Sequence, residues 1–502
     1  MGILDRSVRR VRESRFFKDS FALSAANVAE QLIAIGRGFV IRRILPPEIM
    51  GFWNLMTVAQ GFLNTFDLGI LSGATRELPL LRARGDHREL GRTYSAALWF
   101  SLFQNGVIAC ISVIYVRVRQ DAYSADALAA TYAAIAVFFF SCVYAAYQTF
   151  LVTAQEFVRL SRLSLFCAVF DFAAFILAAW RWGVQGLMLS SICSMLLRGA
   201  VFFRAGTSVG VNVERRFSWA TAKKLLSFGI WIRLVDYPNA LYNLASLLWV
   251  TKTMGVEALA LFAMARGFAT QVAEMSSKVG VVYSMRYLEQ VGRGSPKEEI
   301  GRQMRRYLLC QLVVIVPLLC WAAFTAIVFA VNTFIPRYSA ANKCFLVLLT
   351  SGFFYVFNSG LTNPWMADKR FAARGLANVF GLFSMTGSMG AAWFLFGARS
   401  IEGVSYAALA GSYLYFAYMT VAVGRDFWGP WGSLKILAWP TAAAVWTFGT
   451  LYCGQSFASP GPQGLLGGIR IMLSTGAVTL IGILPLTWMG LRLTGILGGG
   501  GK

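Results

Sequence analysis

Apolar runs of about 20 residues follow one another from end to end of this 502-residue chain, and the breaks between them are too short to hold a soluble domain. As a helix, such a run crosses roughly 30 Å of hydrocarbon. Lipid offers no partner to a backbone N–H or C=O, so a spanning segment is either a helix or part of a closed barrel. Barrel strands alternate apolar and polar residues, whereas these runs are continuous, and the chain is read as an all-α polytopic membrane protein. Its 14% of charged residues, against roughly 25% in soluble domains, fits that class.

Runs set against breaks predict fourteen spanning helices, starting near Phe21, Met50, Thr93, Ala127, Leu163, Val184, Leu225, Glu257, Tyr307, Lys343, Phe371, Ile401, Leu434 and Gly467. Lysine and arginine collect in cytoplasmic loops, which tests the count. With the N-terminus inside, 31 of the 46 basic residues fall in cytoplasmic segments, 10 in outer segments and five within spans. A missed helix would invert the bias beyond it, so both termini are expected in the cytoplasm. The net charge of +23 is then an orientation signal and not a sign of nucleic acid. The basic stretch before Ser20 is not read as a signal peptide, because the apolar run after it holds Asn27, Glu30, Gln31 and Arg37 and no small-residue cleavage site. It is expected to be a short helix on an anionic membrane surface or a basic tail.

The five basic residues within spans are Arg37, Arg198, Arg233, Arg266 and Lys278, and the acids there include Glu30, Asp67, Asp171, Asp236 and Glu274. A charge at mid-helix costs about 2.5 to 3.5 kcal/mol on insertion scales, which makes each a functional candidate. Some spacings allow neutralisation along one helix: Glu30 and Arg37 are seven apart, Arg233 and Asp236 three, Glu274 and Lys278 four. Buried ion pairs of that kind are the structural alternative for any one residue. As a set, the cations occupy every depth. At 1.5 Å per residue Arg266 lies roughly 14 Å in from the outer face, Arg233 roughly 12 Å from the inner face and Arg37 roughly 24 Å from it. For Glu30, Asp236 and Glu274 two readings stand, coupling to a proton or sodium gradient and service as counter-ions to the arginines.

The eight cysteines lie in or at the ends of apolar runs without metal-ligand spacing and are read as small core residues; His87 is read as solvated, and no metal or cofactor site is expected. Gly36, Gly38, Pro238 and Pro317 sit inside spans, where they serve close packing or bending.

The turn "PPEIMGFWNL" from Pro46 is echoed by "MGVEALALFAMA" from Met254, with Glu48 matching Glu257. Six helices separate the two, so the halves repeat in parallel, as two six-helix bundles with an appended helix pair. The expected divisions are a basic cytoplasmic segment 1–20, a bundle 21–205, a cytoplasmic linker 206–224, a bundle 225–424, and a pair with its tail 425–502. A cavity is expected between the bundles.

The stretch "LPPEIMGFWNLMTVAQGFLNTFDLGILSGATRELPLLRARGD", Leu45 to Asp86, resembles the N-terminal signature of bacterial oligosaccharide and polysaccharide flippases of the multidrug/oligosaccharidyl-lipid/polysaccharide exporter superfamily. A proline-led turn (Pro47, Gly51, Trp53, Asn54) enters a helix ending in "DLGI" (Asp67, Leu68, Gly69, Ile70), followed by a basic loop closing at Arg84 to Asp86. The motif residues Pro47, Gly51, Trp53, Asp67 and Gly69 are expected to be structural. The resemblance implies movement of an undecaprenyl-pyrophosphate-linked oligosaccharide from the cytoplasmic to the periplasmic leaflet of the bacterial inner membrane, for O-antigen, capsule or exopolysaccharide assembly. Membrane lipids, a polysaccharide polymerase and export machinery would be its partners. Arginine forks hold phosphate oxygens in pairs and keep their charge, so Arg37, Arg198, Arg233 and Arg266, with Lys278, would receive the pyrophosphate.

Three rivals remain open on sequence. A polymerase or ligase should carry catalytic residues on an outer loop, but the first outer loop offers only Glu48 and "CGQSFASPGPQGLLGG" from Cys453 has neither acid nor base. No phosphate-binding loop for ATP is present, so the chain is not read as an enzyme. A multidrug antiporter for cationic drugs should favour a net acidic cavity, against five basic residues here. A peptidoglycan-precursor flippase is separated only by the Leu45 to Asp86 resemblance.

Overall fold

The computed structural model describes residues 26, 28–211, 213–214, 216–292, 296–361, 365, 370–456 and 465–493; some side chains within these helices, including that of Lys278, fall outside the description. The basic segment 1–20 lies outside the described residues. Among the described residues there is no strand. The helices are α1 (28–44), α2 (Pro47–Asn64), α3 (Ile70–Arg84), α4 (His87–Val118), α5 (Ala125–Thr153), α6 (Phe157–Ser208), α7 (Trp219–Gly292), α8 (Lys297–Cys310), α9 (Val316–Phe334), α10 (Ala341–Leu361), α11 (Phe371–Phe394), α12 (Ile401–Ser456) and α13 (Leu465–Leu493). Seven stretches of the described helices are long and apolar enough to cross a membrane. The protein is a multi-pass membrane protein.

Three helices, α6, α7 and α12, have 52, 74 and 56 residues. At 1.5 Å per residue each exceeds roughly 75 Å, more than twice the hydrocarbon thickness. Each is two helices in sequence, broken at Gly183 (φ 61°), Gly255 (φ 87°) and Gly429 (φ 68°). The breaks fall just before the expected starts at Val184, Glu257 and Leu434. Only glycine takes a left-handed φ without a steric cost, and the turn follows from that.

The chain divides into two compact units between Tyr237 and Pro238, within α7. In the first unit, α3 takes the place of the expected basic loop. Ile70, Ala74, Leu78 and Leu81 recur at helical spacing and are buried, in one core with Tyr94, Phe150, Phe202 and Leu225, while Arg76, Glu77, Arg82 and Arg84 lie on the other faces. Gly85 (φ 71°) ends α3, and the Asp86 side chain caps α4 by accepting from Glu89 N at 3.0 Å. The closing Arg84 to Asp86 of the family stretch is thus helix punctuation.

Helix α3 runs antiparallel to the start of α7. Lys224 pairs with Glu77 at 3.3 Å, a Cβ on Gly73 would strike the Leu225 carbonyl, and the Arg76 guanidinium lies 4.2 Å from the Phe228 ring centroid. Gly69 and Gly229 approach backbone to backbone, and Gly69 also has φ 81°, so it answers both a turn and a close approach.

In the second unit α8 is an amphipathic helix, with Ile300, Met304 and Leu308 buried and Arg302, Arg305 and Arg306 exposed. A π turn at Gln311–Ile315 joins it to α9. Pro317 has no N–H for the carbonyl four residues back, and the widened turn directly precedes it. Helix α13 packs on α9, where Trp321 Nε1 donates to Gly476 O at 2.9 Å. The cysteines divide. Cys142, Cys167, Cys320 and Cys344 are core residues, but Cys110, Cys193 and Cys453 are exposed, against expectation. A thiol behaves as a small hydrophobe, so a lipid-facing position accepts it as readily as a core.

Replacing Gly229 with alanine should lower the stability of the detergent-solubilised protein by about 1–3 kcal/mol, because the added methyl meets backbone and not a movable side chain. Gly267→Ala, with nothing within 4 Å of the added carbon, is the control for thermal unfolding. Equal melting temperatures for the two variants would contradict the close approach.

Candidate functional site

The intramembrane charges fall into separate sets. In the first unit Asp171, on the first half of α6 and only 3% exposed, is the centre of one. Its Oδ1 accepts from Ser194 Oγ at 2.6 Å and its Oδ2 from Arg198 Nη2 at 2.6 Å, both on the half of α6 beyond Gly183. Arg37, on α1, places Nη1 3.8 Å from the same Oδ2, beyond hydrogen-bond range, with Cζ 4.6 Å from the Phe175 ring centroid. Arg198 Cζ lies 5.5 Å from the Tyr144 ring centroid, and Arg198 Nε is sealed from solvent without a hydrogen-bond partner. Glu30 is half-buried and bears electrostatically on Tyr144 and Cys167. One carboxylate therefore stands between two guanidiniums in this set.

A second set lies where α3 meets α7. Asp67 Oδ2 accepts from Arg233 Nε at 3.0 Å and also from Arg233 Nη2, while Asp67 Oδ1 accepts from Gly69 N at 3.0 Å. Tyr237 Oη donates to the Asp67 carbonyl at 2.9 Å. The ion pair of Arg233 thus goes to the "DLGI" aspartate and not along its own helix. Asp236 is half-buried beside Tyr237.

Pro47 opens α2 behind Pro46, with Glu48 in the first turn at the positive end of the helix. Gly51 is buried, and Trp53 Nε1 donates to Ser191 Oγ at 3.4 Å while its ring meets Phe175 edge-on. Trp53 therefore shares Phe175 with Arg37.

The second unit holds the third set. Arg266 donates to Ser246 Oγ and to the Asn243 carbonyl at the wall of a cavity of about 300 Å³. Glu274, Thr270, Tyr242, Ser351 and Ser412 line the same cavity. The hydroxyls form a chain, with Tyr242 Oη and Ser351 Oγ each 2.8 Å from Ser412 Oγ. The space has room for several waters or a compact polar group. Arg266, Thr270 and Glu274 recur at four-residue spacing and share one helix face, a pattern the sequence reading did not use; Tyr242, Ser351 and Ser412 carry no sequence signal that joins them.

Replacing Asp67 with alanine removes an ion pair and a turn-closing acceptor together, and should destabilise the protein by about 1–3 kcal/mol. A double-mutant cycle with Arg233→Ala should return a coupling of about 0.5–3 kcal/mol in unfolding free energy. A coupling near zero would show that the contact contributes nothing.

No curated protein matches the chain. Among solved structures its fold is similar to that of the lipid II flippase MurJ in an inward closed conformation, at 12% identity over 94% of this chain and 98% of that one, with a TM-score of 0.66. It is similar also to the eukaryotic MATE transporter AtDTX14, at 14% identity over 85% and 99% with a TM-score of 0.55. A Vibrio cholerae MATE transporter, VcmN in its bent form, matches at 13% identity over 86% and 99% with a TM-score of 0.55. These likenesses concern the fold. The sequence model of one family, described as polysaccharide biosynthesis protein, matches residues 40–335, which include the whole of Leu45 to Asp86. By that match the chain belongs to the polysaccharide biosynthesis protein family.

Proposed function

We propose that the protein is a flippase, carrying an undecaprenyl-pyrophosphate-linked oligosaccharide from the cytoplasmic to the periplasmic leaflet of the bacterial inner membrane by alternating access, for O-antigen, capsule or exopolysaccharide assembly. The observation that carries this reading is the retention of arginines inside spanning helices of both units in a chain of the polysaccharide biosynthesis family: Arg37 and Arg198 in the first unit, Arg266 in the second. A charge in hydrocarbon is unfavourable, and one use that offsets its cost is an anionic ligand crossing the same barrier.

The polyprenyl tail stays in lipid throughout, so the barrier to crossing lies in the diphosphate and the sugar. A guanidinium presents a planar fork to two phosphate oxygens and stays charged at any physiological pH. The Arg266 cavity joins such a fork to hydroxyls from Thr270, Ser351 and Ser412, groups that suit a polar headgroup and not an acyl chain. Both termini lie in the cytoplasm in this reading, and no bond is made or broken, so the protein is not an enzyme. Glu30, Asp236 and Glu274 are the carboxyls available to couple transport to protons or sodium. A polysaccharide polymerase and export machinery would take the product onward. The fold likeness to a lipid II flippase favours a peptidoglycan precursor as the second reading, which shares the polyprenyl-pyrophosphate and differs in the sugar.

In cells carrying the pathway, deletion of the protein should leave the lipid-linked oligosaccharide on the cytoplasmic leaflet, and Arg266→Ala at normal membrane abundance should do the same. Leaflet-selective labelling of the sugar measures this. Arrival of the intermediate at the periplasmic leaflet in both strains would overturn the reading.

A further inference from the structure

The two arginines at Asp171 are not equivalent. Asp171 has both oxygens engaged within α6, one by Ser194 and one by Arg198, at 2.6 Å each. Those contacts join the two halves of α6 across the Gly183 break. Arg198 cannot leave without exposing a carboxylate that is 3% accessible, and its Nε is sealed away from any ligand. Arg37 comes from another helix, and its Nη1 stands 3.8 Å from Asp171. It is held by Coulomb attraction and by the face of Phe175, without a hydrogen bond to the carboxylate. Its side chain is 23% exposed against 19% for Arg198, so the two differ in their bonds to Asp171 and not in accessibility. An anion reaching Arg37 would displace no hydrogen bond between Arg37 and Asp171.

We propose that Asp171 sorts these cations: it retains Arg198 as a structural partner and leaves Arg37 as the exchangeable arm that takes up a diphosphate, with the Asp171 carboxylate competing for that arm and so promoting release. This rests on the flippase reading above and assigns roles within it. Asp171 is a positioning residue, acting through Arg37. The balance between hold and release follows from charge. With Glu30 counted, two guanidiniums face two carboxyls and the set has no formal net charge, so the attraction for a diphosphate is the local one of the Arg37 fork, opposed by the fixed Asp171 carboxylate. Phe175 meets the Arg37 guanidinium in a cation–π contact, a weaker hold than a charge-assisted hydrogen bond to a carboxylate. Trp53 packs against the same ring in an edge-on contact.

The test uses the full chain in lipid nanodiscs with inorganic pyrophosphate as probe, comparing affinity with thermal stability. Arg37→Gln should weaken pyrophosphate binding about tenfold with little change in melting temperature, as expected for loss of one charge-assisted contact. Arg198→Gln should lower the melting temperature. Asp171→Asn, whose amide oxygen can still accept from Arg198 while its Nδ2 donates to Ser194 Oγ, should bind pyrophosphate severalfold more tightly while transport in cells slows, and the added affinity should vanish when Arg37→Gln is combined with it. Tighter binding with slower transport is a split that damage to the fold does not produce. Unchanged or weaker binding in Asp171→Asn, or added affinity that survives Arg37→Gln, overturns the assignment. Should Asp171→Asn fail to accumulate, the two arginine variants decide alone: equal losses of stability with equal affinities overturn it. Arg266→Ala separates the two claims. Weakened binding there together with a flat response at Asp171 rejects this assignment and leaves the flippase reading standing, whereas a wild-type protein that binds no pyrophosphate rejects both.

Discussion

A charge placed inside a membrane-spanning helix has to be answered by another residue of the protein, because lipid supplies neither a counter-ion nor a hydrogen bond. Much of the first unit follows from that requirement. Asp171 is deep in α6, and its carboxylate is met by Ser194 and Arg198 from the far side of the Gly183 break. The two halves of α6 are therefore fixed to each other by a polar contact as well as by packing. Removing one partner of such a buried pair leaves the other uncompensated, a far larger penalty than the net worth of the intact pair.

The same requirement explains why the family stretch from Leu45 to Asp86 looks the way it does. Asp67 closes its own turn through Gly69 N, takes the Arg233 fork and holds Tyr237 through its carbonyl. Gly69 and Gly229 let the backbones meet closely enough for those contacts to form. Gly85 and Asp86 then end one helix and start the next. Motif residues of this kind set the path of the chain. Arg266 lies outside the motif and is held by Ser246 and Asn243 from an earlier part of the same helix across the Gly255 break.

The all-helical membrane class was legible because it depends on the length and continuity of apolar runs, which are local. The breaks in α6, α7 and α12 were legible because charged residues near them, among them Arg181, Lys252 and Arg425, interrupt the apolar runs; the glycines that take the turns carried no signal of their own. Helix α3 was harder to see. Its fifteen residues carry five that are charged or prolyl, and only the spacing of Ile70, Ala74, Leu78 and Leu81 marks a buried face. The partner of Arg233 was not legible at all, since Asp67 is 166 residues away while Asp236 offers a plausible spacing on the same helix. Asp171 was visible as an intramembrane acid, but its role depends on contacts 23 and 27 residues along the chain, set by the turn at Gly183. Spacing along one helix finds partners on that helix alone.

In the proposed function, cationic side chains in each unit receive an anionic headgroup while the lipid tail remains in the bilayer. The most direct measurement is the rate of transbilayer movement in proteoliposomes for two polyprenyl lipids with the same sugar, one joined through pyrophosphate and the other through an uncharged ether. The account predicts protein-dependent movement of the pyrophosphate lipid and little of the neutral one. Equal rates for both would contradict it, because the arginines would then have no part in choosing what crosses.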